Sequence, residues 1–324
     1  MQTLYVKNEN DLSSLRRCSV ILSQGCVTAL GFFDGVHTAH RALIEKAKLE
    51  AEKLSLPLVI FTFSSDSVLL KSGQNRLLTD KERLSELESL GADLTLMFNF
   101  DFIKNLSAEE FIDEILVTNL NTHTAVCGFN FRFGKNASGD TDFLKSKLSS
   151  LSKKAIILPE YKIDEILVSS SQIRALLSKR ELLYAARLLG KPFFIDGTVS
   201  HGLGLGKKLG IPTVNLDISR EKLILQKGVY YTAVQISGKL YCGITNLGSC
   251  PTFEERETHA ETFILDFDGE IYNESIRVYF ISFIRDEIKF SSKEELIMQI
   301  NIDKNRALSL EKEIQWQEIG LSLQ

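Results

Sequence analysis

Ala29-Leu-Gly-Phe-Phe-Asp-Gly-Val-His-Thr-Ala-His40 decides how the first half of the chain is read. The run Cys26–Phe33 is short, apolar, and β-branched or aromatic at several positions, as a strand buried on both faces of a parallel sheet is. Asp34-Gly35 breaks it. Arg41–Leu54 then sets Leu43, Ile44, Ala47 and Leu54 among charges and predicts an amphipathic helix. His37 and His40 fall at the mouth of that helix, three residues apart and so on one face. A helix mouth offers unpaired N–H groups and a positive dipole, which favour phosphate. Two imidazoles beside it can hydrogen-bond phosphate oxygens whose charge changes during transfer. Two ordinary histidines near a helix start fit the spacing equally well.

Outward from this stretch, strands and helices alternate. Thr3–Val6 alternates apolar and polar residues, and Leu58–Phe63, Leu94–Phe98, Thr124–Phe129 and Lys154–Pro159 read as apolar strands. Thr79 caps a helix over Asp80–Leu90 that Gly91 ends. Ser107, with Glu110 three residues on, makes a capping box for Ala108–Leu120, and Asp142–Leu151 is a further helix. This order predicts a doubly wound parallel sheet, whose ligands bind beyond the carboxyl ends of the strands. His37, Ser64 and Asn130 all follow strands there. In Gly128-Phe-Asn-Phe-Arg-Phe-Gly134 the three phenylalanines read as a core cluster, whereas Asn130 suits ligand recognition at a strand end. Ser169-Ser-Ser-Gln-Ile-Arg174 opens a helix, with Arg174 one turn from Ser170 and Ser171. The hydroxyls can cap the helix or, with the guanidinium, bind phosphate.

Composition bounds the alternatives. A length of 324 residues fits two domains, and 44% apolar with 25% charged residues is ordinary for globular proteins. A net charge of −4 argues against a nucleic-acid partner, which would need a broad basic face. No apolar run spans a bilayer, the polar start is no signal peptide, and no obligatory protein partner is evident. The five cysteines, Cys18, Cys26, Cys127, Cys242 and Cys250, show neither a disulfide framework nor zinc spacing and read mostly as core residues. A cytoplasmic, two-domain protein is expected.

Beyond Glu181–Leu189, a short helix closed by Gly190 and Pro192, the period changes. Phe193–Ser200, Gly228–Ile236, Leu240–Asn246, Glu261–Phe267 and Ser275–Ile284 read as strands without intervening helices, which predicts a small antiparallel barrel. A last amphipathic helix starts at Ser291 or Ser292 and runs to about Trp316. Between the first two strands lies His201-Gly-Leu-Gly-Leu-Gly-Lys-Lys-Leu-Gly-Ile-Pro-Thr-Val-Asn215. It is no dinucleotide fingerprint: Lys207 stands where the third glycine belongs, and Pro212 lies where the helix should run. The surviving reading is a glycine flap with lysines over phosphates, followed by a rigid extended segment. Thr213 and Asn215 are two apart on an extended chain and point to one side. Neutral oxygens of this kind suit Mg²⁺, which also takes waters and nucleotide phosphates.

In these motifs the chain resembles known families. His37-Thr-Ala-His40 resembles the His-x-Gly-His signature of the nucleotidyltransferase superfamily, with Ala39 at the glycine position. As a whole the chain resembles the prokaryotic bifunctional riboflavin kinase/FAD synthetase family over about Val27 to Ala307. The family's Pro-Thr-Ala-Asn is matched by Pro212–Asn215. Its Asn-Ile-Gly-x-x-Pro-Thr-Phe is matched by Asn246, Leu247, Gly248, Pro251, Thr252 and Phe253, and its Ile-Arg-Asp-Glu by Ile284–Glu287. In the first half Gly31–His37 and Ser169–Arg174 match, with Ser171 in place of threonine.

The resemblance implies an α/β plus all-β architecture. A Rossmann-like nucleotidyltransferase domain, residues 1–186, would join FMN to AMP from ATP. A six-stranded antiparallel barrel with a long terminal helix, residues 187–324, would phosphorylate riboflavin. It implies Glu261 as catalytic base of the kinase, and His37 and His40 as catalytic groups of the adenylyltransferase. ATP would meet Gly31, Phe33, Asp34, Gly35, Ser170, Ser171 and Arg174 in the first domain. In the second it would meet Gly202, Gly204, Gly206, Lys207, Pro212 and Thr213. Flavins would meet Asn130, Asn246 and Arg285, and Mg²⁺ would sit on Thr213 and Asn215. Two rivals stay open: a monofunctional riboflavin kinase whose first domain is degenerate, motivated by Ala39 and by Ser64-Ser65-Asp66-Ser67 where the family has a proline-containing segment, and a non-enzymatic flavin carrier.

Overall fold

Cys26–Leu30 forms a strand, β2, of which every residue is buried. Around it lie β1 (Gln2–Val6), β3 (Leu58–Phe63), β4 (Leu94–Phe98), β5 (Thr122–Gly128) and β6 (Lys154–Leu158). The computed structural model describes residues 1–18, 20–65, 75–200, 213–249 and 258–321. These six strands make one sheet in the order β1-β4-β3-β2-β5-β6, and every pairing is parallel. The chain winds outward from β2 through β3 to β4, then returns to β5 on the other flank. The order therefore reverses between β2 and β5, and the crevice at their carboxyl ends is where such sheets bind ligands. A short hairpin, β7 (Lys162–Ile163) and β8 (Ile166–Leu167), follows.

The helices of this unit are α1 (Glu9–Cys18), α2 (Thr38–Leu54), α3 (Asp80–Ser89) and α4 (Thr141–Ser150), with one-turn pieces at Phe100–Ile103 and Ala108–Glu110. The Thr79 cap and the Ser107 capping box form as read from the sequence, and Glu82 makes the Thr79 cap a full capping box as well. Three differences stand out. The helix expected from Arg41 starts at Thr38, because the His37 imidazole accepts the His40 N–H and caps it. The stretch expected as one α-helix over Ala108–Leu120 is α only to Glu110, and Phe111–Asn119 is a π-helix. Its apolar residues come in pairs, Phe111/Ile112 and Ile115/Leu116, and the wider turn buries both pairs. Asn119 supports it by donating to the Glu114 carbonyl at 2.6 Å. Finally, α1 was not expected: Leu12 and Leu15 are buried in an otherwise polar run that shows too little periodicity to foresee a helix.

The second unit begins at Ser170, after Met1–Ser169. It opens with α5 (Ser170–Ser178) and α6 (Leu182–Leu189), which Gly190 ends in the left-handed conformation as expected. Six strands follow: β9 (Phe194–Ser200), β10 (Thr213–Leu216), β11 (Gly228–Ile236), β12 (Lys239–Ser249), β13 (Thr258–Ile264) and β14 (Ser275–Arg285). They close into a barrel in the order β10-β13-β12-β11-β14-β9, antiparallel throughout. The helix α7 (Lys293–Glu313) follows, capped by Ser292. The strand expected over Glu261–Phe267 lies three residues earlier, since Asp266 turns the chain at φ 52°. Inside the barrel Thr232, Thr245 and Thr262, all fully buried, form a hydroxyl chain with two links of 2.9 Å. Satisfying buried hydroxyls with one another leaves the outer face for function. Cys26 and Cys127 are buried free thiols as read, and burial pushes them up to about 11 and about 12. No helix among the described residues is long and apolar enough to cross a membrane.

Candidate active sites

The turn between β2 and α2 is conformationally costly. Phe33 (φ 53°), Gly35 (φ 88°) and the β-branched Val36 (φ 40°) are all left-handed, a combination that persists only where surroundings over-determine it. The Phe33 ring is wholly buried and packs over Gly31, where an added Cβ would lie 2.9 Å from the ring. Asp34, also buried, accepts the Leu77 N–H at 3.0 Å. The turn delivers His37 and His40 stacked at 3.6 Å between ring centres and 13° between planes, with the Phe33 ring edge-on to His40 at 5.2 Å.

Burial holds His37 down to about 4 and His40 well below its ordinary value, with His37 and Arg83 lowering His40 further. Both rings are therefore neutral near pH 7. Because His37 Nδ1 accepts the His40 N–H at 3.3 Å, the hydrogen of the neutral His37 ring is assigned to Nε2. A neutral donor can strengthen its hydrogen bond as phosphate charge builds, without first meeting a counter-ion. Of the other residues read from sequence, Ser64 and Ser65 are buried, with Ser64 donating to the Phe98 carbonyl and Ser65 to Asp80. Asn130 is exposed at the end of β5, beside Gly128. The phenylalanine cluster is correct for Phe133, buried on Phe111, and for Phe131, packed on Phe133. It is incorrect for Phe129, whose side chain is 39% exposed because the strand ends there. Ser170, Ser171 and Arg174 lie on α5, the helix that opens the second unit.

In the barrel the site is made by register. Glu261 on β13 sits opposite Asn215 on β10 and Asn246 on β12, Asn246 sits opposite Val229, and Val229 opposite Arg285. Cross-strand partners share a face, and Thr213, two residues from Asn215, shares it too. The alternate residues Ala260, Thr262 and Thr245 are fully buried, so this row faces outward. The Thr213 hydroxyl donates to Glu261 Oε1 at 2.5 Å. A cavity of about 290 Å³ opens on the row, lined by Thr213, Asn246, Glu261, Phe263 and Arg285 from the barrel and by Leu296 and Ile300 from α7. A second cavity of about 380 Å³ adjoins the other side of Thr213, between Val199, Val214, Asp268, Glu270 and Tyr272. The two cavities thus share Thr213.

Arg285 is clasped by Asp303 of α7, Nε to Oδ1 at 3.0 Å and Nη2 to Oδ2 at 2.8 Å, and Gln299 donates to the same carboxylate. Gly202, Gly204, Gly206, Lys207 and Pro212, and the Pro251–Phe253 part of the second motif, lie outside the described residues. Sequence reasoning missed Asp303, Arg76 and Arg83. All three are charged residues in segments that read as solvated, yet Asp303 is 2% exposed and the two arginines 0%. Among the described residues no group of three His, Cys, Asp or Glu could hold a metal ion.

A neutral imidazole pair at a helix mouth in a switch-point crevice, with a carboxylate–hydroxyl–amide row between two cavities, defines a class: enzymes that transfer phosphorus-containing groups. Comparison with known proteins agrees. The model of the family described as FAD synthetase matches residues 21–172, and that described as riboflavin kinase matches 189–310. The bifunctional riboflavin kinase/FMN adenylyltransferase of Bacillus subtilis is 32% identical over 318 residues, 95% of this chain and 98% of its own length. The like-named proteins of Pseudomonas fluorescens and Escherichia coli K12 are 34% and 33% identical, over 89% and 87% of this chain and 93% and 91% of theirs. A solved Streptococcus pneumoniae structure described as a macrolide-efflux protein superposes with a TM-score of 0.81 at 29% identity, over 94% of this chain and 98% of that one. The chain belongs to the bifunctional riboflavin kinase/FMN adenylyltransferase family. A match to both family models, with Ala39 and Ser64–Ser67 inside the first, does not favour a kinase with a degenerate first half.

Proposed function

We propose that residues 187–324 convert riboflavin and ATP to FMN and ADP, and that residues 1–186 convert FMN and ATP to FAD and diphosphate, in the cytoplasm. The observation that carries the kinase assignment is the single row Asn215–Glu261–Asn246, with the Thr213 hydroxyl on the Glu261 carboxylate. Riboflavin occupies the cavity under α7 and ATP the cavity on the other side of Thr213. The ribityl hydroxyl is a weak nucleophile at neutral pH, so a positioned base matters. Glu261 takes its proton as the hydroxyl oxygen bonds to the γ-phosphorus and the bond to the ADP oxygen breaks. Asn246 and Arg285 orient the flavin, and the Asp303 clasp fixes the Arg285 guanidinium plane.

Two neutral oxygens, Thr213 Oγ1 and the Asn215 amide, beside one carboxylate fit a hard cation that keeps waters and phosphate oxygens as its remaining ligands. Thr213 and Asn215 would hold Mg²⁺, which supplies charge neutralisation on the transferring phosphates. In the other half the FMN phosphate is already an anion and needs no base. Its oxygen bonds to the α-phosphorus of ATP and diphosphate leaves. The neutral His37 and His40 donors and the N–H groups of α2 meet the charge that develops there. Asn130 meets the flavin of FMN.

Purified protein given riboflavin with ATP and Mg²⁺, and separately FMN with ATP and Mg²⁺, tests both halves. Separated products should be FMN with ADP in the first case and FAD with diphosphate in the second. Absence of FAD in the second mixture refutes the adenylyltransferase assignment, and flavin binding without ATP consumption refutes both.

A further inference from the structure

Beneath the imidazole pair lie two arginines that the mechanism above does not use. Arg83 of α3 donates from Nη1 to the Phe32 carbonyl at 3.0 Å, from Nη2 to the Phe63 carbonyl, and from Nη2 to Asp80 at 2.6 Å. Phe32 lies in the turn after β2, and Phe63 is the last residue of β3. One guanidinium therefore bridges the carboxyl ends of two adjacent strands at the crevice. The Phe32 carbonyl takes a second donor, the buried Thr62 hydroxyl, at 2.9 Å. Arg76 lies on the Phe32 ring, 4.6 Å from its centre, and donates to the Ser64 carbonyl at 3.3 Å. Burying a guanidinium completely costs several kcal/mol before its partners repay it, and an apolar side chain would fill this core position without that cost. The cation stands one residue from the left-handed Phe33, whose ring supports His40.

We infer that Arg83 is a positioning residue for adenylyl transfer, holding the Phe32–His40 turn in its strained, imidazole-stacking form by tying it to β3. The inference rests on the adenylyltransferase reading of the first half. It also explains how a turn with three left-handed residues stays in place: two carbonyl acceptors and a carboxylate fix the guanidinium, whose planar fork cannot follow a relaxing backbone. Arg83 further acts on His40 through its charge. The other groups acting on that pair are His37 and, on His37, Asp34. The carboxylates of α3 are engaged: Asp80 with Arg83 and Arg76, Glu82 with the Thr79 N–H, Glu86 with Arg41, and Glu88 with the Met1 amine.

The test compares wild type, Arg83→Met and Arg83→Lys in FAD formation from FMN and ATP across pH, with riboflavin phosphorylation by the same preparations as the reference. In Arg83→Met, kcat for FAD formation should fall on the order of 100-fold, the loss that follows an ångström of misplacement, with KM for ATP and FMN little changed. Its acid limb should move to higher pH, because His40 loses a repelling cation and takes up a proton more readily. Arg83→Lys should keep the acid limb in place and recover part of kcat. If Arg83→Met does not fold, Arg83→Gln, which keeps an N–H donor but no charge, carries the same pH comparison. Wild-type kcat in Arg83→Met, or equal losses in the Met and Lys variants with an unmoved acid limb, overturns the inference while wild type still makes FAD. A wild type that makes no FAD overturns the adenylyltransferase reading itself.

Discussion

In the proposed function the imidazole mouth of the parallel sheet and the outer row of the barrel would meet one demand, gripping a triphosphate, by opposite means. The first is local. Gly31 to His40 are consecutive, and the site exists because three left-handed residues fold them back so that two rings stack. The second is distributed. Thr213, Asn246, Glu261 and Arg285 come from four strands and meet only through antiparallel register. A local site depends on backbone strain being held from below. A distributed site depends on strand pairing being correct, since a slip of one residue would turn Glu261 into the barrel.

If the division of labour is right, Glu261→Gln should lower FMN formation by about 1000-fold, within the range for losing a general base. Conversion of FMN to FAD by the same protein should be unchanged. Equal loss of both activities in a product assay would break the comparison. His37→Ala combined with His40→Ala should do the reverse, costing FAD formation about 100-fold or more while riboflavin phosphorylation holds. Asp303→Ala leaves the Arg285 guanidinium without its buried clasp and should cost about 3 kcal/mol. That loss should appear as a lower unfolding midpoint of the second unit and a raised KM for riboflavin.

The local site should also carry a pH signature that the barrel lacks. His37 is held near 4 when folded and returns to its ordinary 6.5 when unfolded. As pH falls below 6.5 the unfolded chain therefore takes up a proton that the folded one refuses. Stability is fully present above pH 6.5 and declines towards pH 4, by about 1 kcal/mol per pH unit for His37, with His40 acting in the same direction. Denaturant titrations should show this decline in wild type and a flatter one in the double alanine variant. The smallest effect lies in the loop after β5, where Ala137 is left-handed at φ 55°. Ala137→Gly should stabilise by about 0.5 kcal/mol, the strain relieved exceeding the added freedom of the unfolded chain.

Some elements are plain in the residues and others are not. β3 and β4 have their observed bounds because each is a short run, apolar but for one threonine, between turn residues, and the helices after Thr79 and Ser107 begin where a hydroxyl and a glutamate three residues on cap each other. The π-helix was not foreseeable as such, because a paired apolar pattern serves an α-turn nearly as well until the core it packs on is known. Arg83 and Asp303 were invisible for a related reason. A charged residue in a polar helix reads as solvated, and only packing reveals that it is buried against a carbonyl or a guanidinium.

Apart from α1 and the β7–β8 hairpin, the alternation of strands and helices in the first half, the caps, the imidazole spacing and the Pro-Thr-x-Asn segment follow from the sequence alone, because each is governed by forces between residues a few positions apart. The stacking of His37 on His40 above a buried arginine, the sharing of Glu261 by Thr213, Asn215 and Asn246, and the clasp of Arg285 by α7 were decided by the tertiary structure. The Thr213–Glu261 bond joins residues 48 positions apart, and Arg180 meets Asp286 across 106 positions in the second unit. No local rule reaches that far: the closing of a barrel and the winding of a sheet choose which side chains meet, and burial then sets their charge.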